Sequence, residues 1–128
     1  MKGFAPPSPA LSLPDSPNDP ALLSLRPPND NLASATVISG ASGSVTGTNV
    51  LATAGPGEPY YANTPAGRSV WWRWTAPSAG RLTLRTAGSD FDTLLAIYTG
   101  TAVSELAWVS DGWNDDFNGS IQSQVSVQ

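Results

Sequence analysis

The run Val70-Trp71-Trp72-Arg73-Trp74-Thr75-Ala76-Pro77-Ser78-Ala79-Gly80-Arg81-Leu82-Thr83-Leu84-Arg85 decides the fold class. Successive side chains of a strand point to opposite faces, so Val70, Trp72 and Trp74 share one face while Trp71 and Arg73 share the other. The face with three large apolar groups is assigned to the core, and Trp71 is expected to point away from it. In residues 81–85 the leucines alternate with arginine and threonine, the pattern of a half-solvated antiparallel strand. Proline and glycine in the segment between make a short hairpin-like loop.

Working outward, short β-rich runs recur between turn residues at 35–38, 43–48, 68–75, 81–86, 93–98, 106–109 and 121–127, with almost no helical periodicity. Leu94-Leu95-Ala96-Ile97-Tyr98 is apolar on both faces and reads as a strand covered on each side. Two sheets packed face to face satisfy these patterns, which predicts an all-β, antiparallel β-sandwich. Residues 51–67 hold three prolines and three glycines without alternation and read as a surface loop.

The chain of 128 residues is long enough for one domain. It contains no Cys and no His, which removes disulfides, thiolate and imidazole metal sites and every catalytic arrangement built on those groups. Only 12% of residues are charged and the formal net charge is −4. The cations are Lys2 and five scattered arginines, too few for a nucleic-acid footprint. No run approaches a membrane span. Met1-Lys2-Gly3-Phe4 leads into a proline-rich stretch, so no signal peptide is read there.

Residues 1–28 carry eight of the 12 prolines and are assigned to an extended arm or linker, with the β domain at 29–128. Two apolar islands interrupt the arm, one around Leu11 and Leu13, the other around Leu22, Leu23 and Leu25. Two readings stand: an interdomain linker, or a segment laid on its own domain or on a neighbouring copy.

From Asn29-Asp30-Asn31 onward the order of motifs is distinctive. Ser44-Val45-Thr46-Gly47-Thr48-Asn49 and Gly57-Glu58-Pro59 come first. Ser69 to Pro77 follows, then Gly88-Ser89-Asp90-Phe91-Asp92-Thr93-Leu94-Leu95-Ala96-Ile97-Tyr98-Thr99-Gly100, then Asn114-Asp115-Asp116. This order resembles the bacterial pre-peptidase C-terminal-like domains over about 100 residues. The resemblance implies a jelly-roll β-sandwich carried by secreted or surface proteins, mostly as an accessory module. It also implies roughly two further strands after Gln124-Val125-Ser126-Val127, where this chain stops at Gln128. The expectation is an open groove beside Ile121, Val125 and Val127, filled by a strand donated from the arm of a second copy through Leu11, Leu13, Leu22, Leu23 and Leu25. A truncated chain with a plain linker is the alternative.

Candidate site residues fall in two groups. Asp90, Asp92, Asp111, Asn114, Asp115 and Asp116 supply oxygen ligands of the kind a hard cation such as Ca²⁺ prefers, and are equally the residues of ordinary turns. Trp71 and Trp113, read as outward, could stack on a glycan or be covered by another subunit. Asn118-Gly119-Ser120 is a formal glycosylation acceptor. Nothing supplies the cleft that a carboxylate pair would need for glycoside hydrolysis. The expected function is therefore a non-catalytic, extracellular, bacterial structural or adhesive module that polymerises with copies of itself. The alternative is a glycan- or matrix-binding accessory module of a secreted hydrolase.

Overall fold

A computed structural model describes residues 24–60 and 67–128. The described chain is all-β apart from two single 3-10 turns, Leu32–Ser34 and Val103–Glu105. Its strands are β1 (Thr36–Ile38), β2 (Trp72–Trp74), β3 (Leu82–Arg85), β4 (Leu95–Thr99), β5 (Ala107–Asn114) and β6 (Gln124–Val127). They form three two-stranded ladders: β1 with β2, β3 with β6, and β4 with β5. The last two are antiparallel, as the alternation in 81–85 requires, whereas β1 and β2 run parallel. The stretch 43–48 is not a strand, and the run expected at 106–109 extends to Asn114.

The alternation in 81–85 is realised, with Leu82 and Leu84 half-buried and Arg81, Thr83 and Arg85 exposed. All five residues of 94–98 are half-buried. Around Trp71 the expected division fails: Trp71 is buried although Arg73, assigned to the same face, is exposed, and of the face assigned to the core Val70 and Trp74 are half-buried and Trp72 exposed. Trp71 is buried at 9% exposure, while Trp72 is 38% exposed. The reason is backbone anchoring just before β2. The Trp71 amide donates to the Asn29 carbonyl, and its own carbonyl accepts from the Thr36 amide and from Asn29 Nδ2. The indole Nε1 then donates to Glu58 Oε1 at 3.3 Å, which satisfies the one polar atom of a buried tryptophan. Trp72 and Trp74 contact the irregular segment ahead of them instead, Trp72 remaining exposed and Trp74 half-buried. Trp74 Nε1 donates to the Gly40 carbonyl at 2.8 Å, and a β-carbon at Gly47 would stand 3.0 Å from the Trp72 ring.

Two carboxylates act as local locks. Asp30, buried, accepts from the Thr53 amide and hydroxyl and faces Arg26 at 3.7 Å. Glu58 accepts from the Gly55 amide, the Ser69 hydroxyl and the Trp71 indole. Because Pro27 is buried and its carbonyl accepts from the Asp30 amide, the packed body begins about two residues ahead of the boundary read from composition.

At the other side of the fold, Thr86, Thr93 and Ser123 join the ends of β3, β4 and β6. Backbone bonds run from the Thr86 amide to the Ser123 carbonyl and from the Thr93 amide to the Ile121 carbonyl. Asn118 and Gly119, with φ of 54° and 76°, form the left-handed corner that turns the chain between Phe117 and Ser120 and leads it into β6.

Candidate functional site

The hairpin of β4 and β5 gathers the chemistry-bearing side chains. Its register pairs Ala96 with Trp113 and Tyr98 with Trp108, across an irregularity that leaves extra residues on β5. Asp111, at φ 60°, and Gly112 take up that excess. A β-carbon at Gly112 would meet the Val109 carbonyl at 2.7 Å, so only glycine allows the strand to fold back there. Residues paired across a ladder share a face, which places Ala96, Tyr98, Trp108 and Trp113 together. Trp108 is 55% exposed and Trp113 43%. Beneath them, Tyr98 is half-buried with its ring 6.4 Å from that of Trp71.

Beside this aromatic face stands an acidic one. Carboxylate oxygens of Asp92, Asp115 and Asp116 lie within 4.8 Å of one another, all three residues being exposed. The structure thus brings together three of the expected oxygen ligands; Asp90 and Asp111 are outside that group. Asn114 is otherwise engaged, with Nδ2 donating to the Asp116 carbonyl and Oδ1 accepting from the Gln124 amide. Its side chain shapes the turn that carries Asp115 and Asp116. Three carboxylates so close can share a hard cation or a guanidinium, and repel one another without either.

The remaining expected positions divide. Leu11, Leu13, Leu22 and Leu23 lie outside the described residues, and Leu25 is exposed. Of the groove residues, Ile121 is exposed and Val127 half-buried, but Val125 is already sealed at 2% exposure. No groove stands open at Val125, because β6 pairs with β3 through that residue's register with Leu84 and packs beside β5. Trp71, taken as an outward aromatic, is part of the core, while Trp113 is outward as expected. Trp108, which strict alternation from Leu106 would point to the core, is 55% exposed. Its release depends on the bulge, for which Asp111-Gly112 was the one local signal.

Burial pushes the Tyr98 phenol above its ordinary value near 10. The unfolded chain therefore loses this proton first, so the contribution is intact below the unfolded value and is lost as pH rises through the alkaline range. Tyr98→Phe is expected to flatten the fall in melting temperature between about pH 8 and about pH 11. Equal falls in both proteins would remove Tyr98 as a source of alkaline sensitivity.

No helix among the described residues is long and apolar enough to cross a membrane. Comparison of the chain with family models, with curated proteins and with solved structures returned no match.

Proposed function

We propose that the protein is a non-catalytic, extracellular structural module, a jelly-roll β-sandwich akin to the bacterial pre-peptidase C-terminal-like domains, that assembles with copies of itself. The observation that carries this reading is the distribution of its large apolar groups. Among the described residues Leu32, Ala52, Trp71 and Val125 are the buried hydrophobics, while Trp72, Trp108, Trp113, Phe91 and Phe117 are exposed. Large exposed aromatics, of which Trp108 and Trp113 share one hairpin face, mark surfaces that a partner covers. Two-stranded ladders present backbone edges that pair readily with an added strand. The chemistry of the chain agrees, since it has neither imidazole nor thiol and its clustered carboxylates face solvent.

In this reading the N-terminal segment with Leu11, Leu13, Leu22, Leu23 and Leu25 is the donor strand. Light scattering across a concentration series is expected to show growing particles for the full chain and much smaller ones after deletion of residues 1–23. Particles of equal size would exclude the segment as connector, and a full chain that stays monomeric at every concentration would exclude self-assembly. A second reading, an accessory module that binds glycan, is favoured by Trp113 standing exposed beside Trp108. A polysaccharide pull-down that Trp113→Ala abolishes would place it first.

A further inference from the structure

From residue 68 onward the charges fall into two blocks. Arg68, Arg73, Arg81 and Arg85, all exposed, occupy the segment that forms β2 and β3. The next six charged residues, from Asp90 to Asp116, are all carboxylates, all exposed, and surround β4 and β5. None of these arginines is paired with any of these carboxylates among the described residues; the ion pair that forms joins Arg26 to Asp30. The exposed face of β3, with Arg81 and Arg85, and the β4–β5 hairpin thus carry opposite charge, and no ion pair within the described residues neutralises either.

We propose that the exposed face of β3, which carries Arg81 and Arg85, docks on the tryptophan- and aspartate-bearing hairpin β4–β5 of a second copy. The inference rests on the self-assembly reading and adds a second contact between copies beside the donated strand. A guanidinium suits both halves of the hairpin, because its plane stacks on an indole while its N–H fork meets a carboxylate. Trp108 and Trp113 offer the first, and Asp92, Asp115 and Asp116 offer the second. A neutral glycan would use the indoles and leave the crowded carboxylates uncompensated; an anionic polymer would be repelled by them. The two docking surfaces differ, so each copy keeps one of each to offer onward, and the contact repeats along a row.

The test measures self-association of the full chain by sedimentation at low salt and at about 1 M NaCl, where the screening length is about 3 Å. Association is expected to weaken by at least about tenfold at high salt. The paired reversals Arg81→Glu/Arg85→Glu and Asp115→Arg/Asp116→Arg are each expected to weaken it as much at low salt. Mixing the two variants restores it, since each then offers the other a complementary surface. A far-UV melt of each variant verifies folding, and the salt titration of the unaltered chain decides the matter where a variant does not fold. Association that ignores both salt and charge reversal overturns this surface and leaves self-assembly standing. A chain that never associates overturns both.

Discussion

Trp71→Ala is expected to cost about 3–5 kcal/mol, the range for deleting a buried tryptophan, and so to unfold much of the population at physiological temperature. The loss has two parts. The cavity would open beside Tyr98, Leu32 and Ala52 belong to the same small set of buried apolar residues, and little else is available to refill it. Removal of the indole also leaves Glu58 with one donor fewer, although the Gly55 amide and Ser69 hydroxyl still hold it. Trp71→Phe separates the two, since it keeps most of the ring volume and removes only the N–H; its expected cost is about 1–2 kcal/mol. Trp108→Ala, at a 55% exposed position, is expected to change stability by less than about 0.5 kcal/mol. Urea midpoints for the three variants measure this directly. A Trp108→Ala loss equal to that of Trp71→Ala would mean that Trp108 is covered as fully as Trp71.

That ordering reverses the one read from the residues 70–74, and the reversal shows what strand periodicity can carry. Alternation specifies which residues share a face. Which face is buried depends on what arrives to cover it, and here that is decided by Asn29 and Glu58, 42 and 13 residues away from Trp71 in the chain. Within a single antiparallel ladder the reading succeeds, as in 81–85, where the leucines are half-buried and the residues between them exposed. The all-β class, six of the seven expected strand positions and the outward placement of Trp113 were legible because each follows from local pattern. The parallel β1–β2 pair was not, since nothing local encodes strand direction. Nor was the common face of Trp108 and Trp113, five residues apart, because a bulge shifts the period between them. Of the acidic candidates, sequence proximity suggested Asp115 and Asp116; only the contact between the ends of β4 and β6 adds Asp92. The block of arginines at 68–85 followed by carboxylates at 90–116 is legible in the sequence, and its meaning comes from the absence of ion pairs between the two blocks among the described residues.

Ser123→Ala is expected to cost about 2–3 kcal/mol, far more than a serine ordinarily contributes. Ser123 is 2% exposed, and its hydroxyl lies 2.5 Å from the Thr93 carbonyl, 2.7 Å from the Asp115 carbonyl and 3.1 Å from Thr93 Oγ1. A hydroxyl has one proton and two lone pairs. It can donate to one carbonyl at a time while accepting from Thr93, whose own hydroxyl meets Thr86 Oγ1 at 2.6 Å. The Thr86 hydroxyl in turn accepts from the Ser123 amide at 2.8 Å, so the three residues close a ring across β3, β4 and β6. Alanine breaks the ring at its most buried point and leaves polar atoms without a partner where water enters poorly. At about 4–8 °C per kcal/mol for a domain of this size, the melting temperature should fall by roughly 10–20 °C. Ser126→Ala is the control, because the Ser126 hydroxyl pairs with Thr83 at an exposed position and its loss should stay within about 0.5 kcal/mol. The consequence reaches the surface as well. Ser123 holds the backbone of Asp115, so in the docking proposed above the alanine variant should associate more weakly even at temperatures where it remains folded, while Ser126→Ala associates as the unaltered chain does. Equal melting temperatures for the two alanine variants would show that the buried hydroxyls carry no more than solvent-exposed ones, and that Asp115 is positioned by Asn114 alone.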